Sequence, residues 1–229
     1  MRTRHKIGIG FVLVIIISAV VLSIWWQGQK QKMYDSSIRS SYDYDVILTT
    51  DSTLINVTLY LPLPAINKTS SVGMDIVEHN FNDDDPSWEY ALVDTEHGLM
   101  LSMKNEKARS IDLSTMVLSN QTIDTMNPVG NEMVLMPKYN LTHNVNASGA
   151  YSRTSEQFDY ESRMYAYYET SSNANVNISI YLNARNEWWI GGWQYNSYWE
   201  SMEIKLSGSQ DGWTTVNGEL VTGEGTYEI

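Results

Sequence analysis

Cysteine is absent from this chain of 229 residues. Its absence excludes disulfide bonds, thiol nucleophiles, iron–sulfur clusters and zinc sites built on thiolates. The fold must therefore depend on a hydrophobic core without covalent cross-links. The roughly 190 residues that follow an apolar N-terminal segment are enough to bury such a core.

Basic residues are scarce beyond residue 32, where ten Lys and Arg stand against all 27 Asp and Glu of the chain. Residues 33–229 therefore carry a net charge of −17 when His is counted as neutral. A surface this acidic repels the phosphates of nucleic acids and anionic headgroups. We therefore expect no nucleic-acid partner.

The longest apolar run of the sequence extends from Ile7 to Trp26 without a charged residue. A helix of twenty residues reaches about 30 Å, the thickness of the hydrocarbon layer of a membrane. The residues before it are basic, at Arg2, Arg4 and Lys6. By the positive-inside rule, this flank predicts an N-terminus in the cytoplasm.

No second run of that length follows, which predicts a single-pass protein of the cell membrane with its C-terminal domain outside. The expected parts are a cytoplasmic N-terminus at 1–6, a transmembrane anchor at 7–26, a polar stalk at 27–41 and an exterior domain at 42–229. A cleaved signal peptide is an alternative, although its apolar region is normally only about 7–15 residues long. A third possibility is a pilin-like or archaellin-like leader, which "KIGIGFVLVIII" resembles.

The exterior part has the alternating pattern of β-strands. In "TLINVTLYLPLP" the predicted inward residues are Ile55, Val57, Leu59, Leu61 and Leu63. The segments "RMYAYYE", "NVNISIYLNA" and "SMEIKLSG" repeat this period of two, which indicates half-buried strands. Many short strands separated by turn signals predict an all-β domain, either an antiparallel β-sandwich or a partly closed barrel.

Glycines mark the predicted turns. Asn217-Gly218 predicts a tight hairpin between Val216 and Glu219, and Asp211-Gly212 predicts the turn before it. A further turn is expected near Gly98, and Gly191-Gly192 predicts a bulge or a tight turn.

The motif Asn-x-Ser/Thr occurs six times and makes the exterior domain a candidate for N-glycosylation. The six acceptors are Asn56, Asn67, Asn120, Asn140, Asn146 and Asn177.

Motifs of enzymes and metal sites are missing. The acidic stretch "HNFNDDDPSWE" has oxygen ligands for calcium, but Asp85 and Ala91 stand where a calcium loop needs Gly and Glu. The four histidines are not spaced as metal ligands, and no nucleophile elbow, phosphate loop or dinucleotide fingerprint is present. We therefore predict no catalytic residue, metal or cofactor, and a protein that is not an enzyme.

Four of the eight tryptophans lie in "NEWWIGGWQYNSYWESMEI", residues 186–204. Trp188 and Trp189 must face opposite sides of a strand, and we expect Trp188 to point inward. Tryptophans fill cores because of their large area, but exposed ones also bind sugars or partner proteins. The possible ligand platform consists of Trp189, Trp193 and Trp199.

Six segments of the exterior domain carry a family resemblance. They are "NVTLYLPLP", "ALVDTEHGLML", "NPVGNE", "PKYNLT", "RNEWWIGGW" and "GELVTGEG". Together they resemble a group of uncharacterised, membrane-anchored surface proteins of methanogenic and related archaea. The resemblance implies an archaeal cell envelope and no particular catalytic residue.

These observations favour a non-enzymatic surface protein whose β domain serves envelope structure or interaction. The expected partners are the membrane, through residues 7–26, and envelope proteins or glycans. The alternatives are a glycan-binding module that uses the 188–199 aromatics, a pilin-like subunit, and a hydrolase with an unrecognised site.

Overall fold

The computed structural model describes residues 2–79, 87–147, 149–171 and 173–227, with side chains described from residue 14 onward. Within these residues, helix α1 spans Arg2–Ser37 and helix α2 spans Ser71–His79. The strands are β1 (Arg39–Leu61), β2 (Leu63–Ala65), β3 (Glu89–Thr95), β4 (Gly98–Ser119), β5 (Val134–Met136), β6 (Tyr139–His143), β7 (Glu156–Glu169), β8 (Asn175–Trp189), β9 (Trp193–Ser207) and β10 (Gln210–Gly225).

The main sheet closes on itself. Its order is β3-β4-β1-β8-β9-β10-β7-β6, with a further pairing between β1 and β7. One edge of β1 pairs with β8 over residues 39–50 and then with β7 over residues 55–60. Strands β1, β8, β9, β10 and β7 therefore form a closed ring, and all of its pairings are antiparallel. The prediction of an antiparallel all-β domain is confirmed.

The hydrophobic core fills the interior of the closed sheet and continues along the inward face of β4. Strand β8 contributes Val176, Ile178, Ile180 and Leu182, which are all buried as the alternation predicts. Helix α2 covers one side of β4, where Thr115 donates a hydrogen bond to the Asp75 carboxylate at 2.6 Å.

One predicted core position on β1 is wrong. Val57, Leu59 and Leu61 point inward as expected, but Ile55 is 37% exposed. The reason is Asn56, whose φ of 55° is left-handed and breaks the alternation between the two halves of the strand. Asparagine tolerates this conformation better than most residues, but a pattern of period two does not reveal it.

The predicted hairpin at Asn217-Gly218 is also wrong, as is the turn at Asp211-Gly212. Strand β10 runs unbroken through all four residues, and Gly218 lies opposite Tyr160 of β7. A Cβ atom on Gly218 would lie 2.5 Å from the Tyr160 ring. This glycine therefore permits close packing against an aromatic ring. The turn into β10 lies at Gly208, which has a φ of 68°.

The turns at Gly98 and at Gly191-Gly192 are confirmed. Gly98 opens β4 directly after the turn from β3. The glycine pair joins β8 to β9 in a hairpin, closed by the pairing of Trp189 with Trp193.

The N-terminal helix extends beyond the predicted anchor. It covers residues 27–37 of the predicted stalk, and β1 begins at Arg39, before the predicted domain boundary. In the part of the chain that the structure describes, no helix has the length and apolar character needed to cross a membrane. The side chains of residues 7–13, the first part of the predicted anchor, lie outside the description.

Candidate functional site

Helix α1 meets the β domain at the two consecutive tryptophans of β8. Trp188 is 2% exposed, which confirms its predicted inward orientation. Its ring lies against Tyr34 of α1, with 5.5 Å between the ring centroids and an angle of 66°. The backbone N–H of the next residue, Trp189, donates to the Ser37 hydroxyl at 2.8 Å. These two contacts hold the end of the helix against the closed sheet.

Trp189 and Trp193 form an exposed pair at the tip of the β8–β9 hairpin. They are 43% and 55% exposed. Their centroids lie 5.7 Å apart with an angle of 77°, so the two rings do not share a plane. The Arg39 guanidinium lies over the Trp193 ring, 5.0 Å from its centroid, in a cation–π contact.

Trp199, the third member of the predicted platform, lies apart from this pair. It follows Trp193 by six positions on β9, which corresponds to roughly 20 Å along a strand. Its ring is half-buried beside Tyr151, and its Nε1–H donates to the Glu224 carboxylate at 3.0 Å. The three tryptophans are therefore on the same strand pair but do not form one flat surface.

A second aromatic surface lies on the outer face of the closed sheet, and the sequence patterns did not predict it. Tyr60 of β1, Tyr165 of β7 and Trp213 of β10 lie side by side on three adjacent strands, and we call them the outer aromatic row. The Tyr60 and Tyr165 rings stack with centroids 5.1 Å apart and an angle of 27°. The Trp213 ring lies 5.5 Å from Tyr165. Trp213 is 37% exposed.

The turn between β3 and β4 and strand β6 border this row. His97 approaches Trp213 edge-to-face at 4.6 Å, and its Nδ1 shares a hydrogen bond of 3.1 Å with the Tyr139 hydroxyl. The Arg163 guanidinium lies 5.7 Å from the centroid of the Tyr139 ring. Aromatic, histidine and arginine side chains from five strands or turns thus converge on one face of the sheet.

Burial and nearby carboxylates raise the pKa of two tyrosines on this face. Burial and the nearby Asp211 carboxylate raise the pKa of Tyr165. The Glu169 carboxylate, followed by burial, raises the pKa of Tyr167. Both hydroxyls therefore remain hydrogen-bond donors at neutral pH.

A buried ion pair lies inside the domain. Glu200 of β9 accepts hydrogen bonds from Lys138, from the Tyr160 hydroxyl at 2.5 Å and from the Leu135 backbone N–H at 2.8 Å. The Lys138 Nζ also lies over the Tyr160 ring, 3.2 Å from its centroid. Burial lowers the pKa of Lys138 although Glu200 opposes the shift. Burial and the Glu200 charge raise the pKa of Tyr160.

The polar groups of this cluster are hydrogen-bonded to one another. The cluster therefore holds the segment after β5 against the interior of the closed sheet. An apolar pocket of 330 Å³ lies beside Lys138, with walls that include Val129, Met136 and Leu141. The arrangement offers a ligand apolar contacts, whereas the polar groups of the ion pair are already engaged.

All six Asn residues of the glycosylation motifs have exposed side chains. Asn56, Asn67 and Asn140 also have left-handed φ values, as residues in bulges and turns often do. Their use as acceptors stays a prediction.

The acidic stretch at 79–89 falls largely outside the described residues, which omit 80–86. Elsewhere, in the ranges that the structure describes, no group of three or more His, Asp or Glu side chains is arranged to hold a metal ion.

No family model matches the chain, and neither the curated proteins nor the solved structures include a significant match.

Proposed function

We propose that this chain is a non-enzymatic, single-pass surface protein, with its β domain held outside a membrane by helix α1. The observation that carries the proposal is the apolar surface of this helix. From Val14 to Trp26, its large aliphatic and aromatic side chains that are exposed show 51% to 69% of their surface. Burying one such side chain contributes about 1.5–3 kcal/mol, so the helix strongly favours an apolar surrounding.

The docked end of α1 supports a role as a stalk. The helix continues without a break from the apolar run to Ser37. Close to this end of the helix, Tyr34 contacts Trp188 of β8. The eleven residues 27–37 correspond to roughly 16 Å of helix. The β domain would therefore lie at a defined distance from the membrane surface. The contact between Tyr34 and Trp188 would fix its position relative to the helix.

The setting that we propose is an archaeal cell envelope. The six exposed Asn-x-Ser/Thr acceptors and the net charge of −17 over residues 33–229 support an exterior location. The outer aromatic row supports contacts with envelope proteins or glycans. Aromatic side chains are enriched in such contact surfaces.

The absence of cysteine permits a direct test of topology. A single cysteine is introduced at exposed Ser114 of β4 (Ser114→Cys) or near the N-terminus (Thr3→Cys), and intact cells are treated with a membrane-impermeant maleimide. We expect Ser114→Cys to be labelled in intact cells and Thr3→Cys only after lysis. The reverse pattern would show that the orientation is wrong. Recovery of the full chain in the soluble fraction would contradict the anchor.

A second candidate function is a subunit of a pilin-like filament, in which the α1 helices of many copies pack together. The unbroken helix from the apolar run into the domain favours it, because a filament needs a rigid connection. Mass spectrometry of the mature N-terminus distinguishes the candidates. A terminus at Ile7 in sedimenting polymers supports the filament, and an intact N-terminus in the membrane fraction contradicts it.

A further inference from the structure

The outer aromatic row has the dimensions of a small binding surface. Trp213 pairs in register with Tyr165, and Tyr165 pairs with Tyr60. Neighbouring strands lie about 4.8 Å apart, so the three rings extend over roughly 10 Å across the sheet. These three side chains lie on the outer face of the closed sheet, on strands whose inward side chains form the core.

The exposed end of this row is Trp213. Its indole meets Tyr60 at 49°, Tyr165 at 66° and His97 at 83°, so all three rings are inclined to it. No parallel ring stacks on it among the residues that the structure describes. More than a third of the residue is open to solvent, although it belongs to a packed cluster.

The neighbouring row of side chains supplies hydrogen-bonding groups. Thr58, Tyr167 and Asp211 occupy the adjacent register positions on β1, β7 and β10. They bring two hydroxyls and one carboxylate to the border of the rings. A ligand with hydroxyl groups can donate to the carboxylate and both donate to and accept from the hydroxyls.

Cross-strand aromatic pairs also stabilise sheets, and this explains the stacking of Tyr60 on Tyr165. It does not require a partly open tryptophan on the same row. Exposed apolar patches with a polar rim mark interaction sites. The net charge of −17 over residues 33–229 disfavours an anionic ligand. The two hydroxyls and the carboxylate beside the rings are complementary to a ligand rich in hydroxyl groups.

We propose that the outer aromatic row binds a neutral oligosaccharide, with the apolar face of a sugar ring on Trp213 and sugar hydroxyls on Asp211 and Tyr167. This binding specifies the glycan contact of the proposed function at this surface, but it does not depend on the membrane anchor. The purified chain binds the sugar regardless of the membrane orientation that it adopts in the cell.

The test uses the full chain in dodecylphosphocholine micelles, because this detergent has no sugar headgroup. Three hexasaccharides are titrated by calorimetry: β-1,4-linked glucose, β-1,4-linked N-acetylglucosamine and α-1,6-linked mannose. We expect at least one to bind, and Trp213→Ala to weaken it about ten-fold, which corresponds to about 1.4 kcal/mol. Trp213→Phe keeps a ring and should lose less.

Trp193→Ala is the matched control, since Trp193 is an exposed tryptophan on the other aromatic surface. It should bind as the unchanged chain does. A loss with Trp193→Ala but not with Trp213→Ala overturns the proposal and assigns the sugar to the Trp189–Trp193 hairpin. Absence of binding by all three hexasaccharides at millimolar concentration also overturns it. If Trp213→Ala fails to fold, Tyr60→Ala takes its place with the same two outcomes.

Discussion

Tyr34 of helix α1 packs edge-on against Trp188 of β8, with ring centroids 5.5 Å apart. Trp188 is buried, and it lies apart from the main core cluster of the domain. Its Nε1–H finds no hydrogen-bond partner within the described residues. The contact therefore rests on apolar packing, and it couples the direction of the helix to the end of the sheet.

Replacement of the two consecutive tryptophans should have unequal effects on stability. Trp188→Ala removes a buried ring and should lower the free energy of unfolding by about 3–5 kcal/mol. Trp189→Ala is the matched control and should cost much less, because Trp189 is largely on the surface. Urea unfolding of residues 27–229, which retain Tyr34, measures both. Equal losses would contradict the docking of α1 on Trp188.

Gly218 should tolerate no side chain. A Cβ atom would come within 2.5 Å of the Tyr160 ring, so Gly218→Ala should cost about 1–3 kcal/mol, as overpacking does. Gly192→Ala serves as the control, because no atom lies within 4 Å of a Cβ there and its φ is not left-handed. Thermal melting of the two variants provides the comparison. An unchanged melting temperature for Gly218→Ala would refute the close contact.

The buried ion pair should be strongly coupled. Glu200→Leu leaves the Lys138 ammonium buried without its partner and should cost about 3–5 kcal/mol. Adding Lys138→Met should recover part of this loss, because both charges are then removed. The exposed pair of Lys205 with Glu203, 3.1 Å apart, is the control, and Lys205→Met should cost at most about 1 kcal/mol.

A double-mutant cycle on urea unfolding measures this coupling. Simple additivity of the Glu200→Leu and Lys138→Met losses would show that the two side chains do not act as a pair in solution.

Alkaline pH should destabilise the domain through its buried tyrosines. Burial raises the pKa of Tyr42, Tyr44, Tyr160 and Tyr198, and raises that of Tyr168 to about 12. Folded pKa values above the unfolded value of about 10 mean that the stability is fully present below pH ~10 and is lost as the pH rises above it. Lys138, whose pKa is lowered, acts in the opposite sense but is one group against five.

Melting temperatures between pH 8 and pH 11.5, with tyrosinate absorbance recorded in parallel, check this prediction. Tyr168→Phe is the control variant, because its buried hydroxyl lacks a hydrogen-bond partner in the described structure. It should change stability little at pH 8 and reduce the loss above pH 10. A melting temperature that stays constant up to pH 11.5 would be incompatible with buried, protonated tyrosines.

Local patterns in the sequence account for much of the fold. The alternation on β8 correctly predicts that Val176, Ile178, Ile180 and Leu182 are buried, because the faces of a strand repeat every two residues. The same rule fails at Ile55, where the left-handed backbone of Asn56 inserts an irregularity. It also fails to identify the role of Gly218, since a glycine signals a turn and a close ring contact equally well.

The sequence by itself determined the antiparallel all-β character, the acidity beyond residue 32, the apolar run at 7–26 and the opposite orientations of Trp188 and Trp189. Each of these follows from composition or from the short period of a single segment. The tertiary structure alone decided that α1 covers Trp188 and that the sheet closes between β1 and β7. It also decided that Tyr60, Tyr165 and Trp213 share one row. Their strands are separated by about a hundred and by nearly fifty residues in the chain, and the register between such distant strands is set by the packing of the whole core.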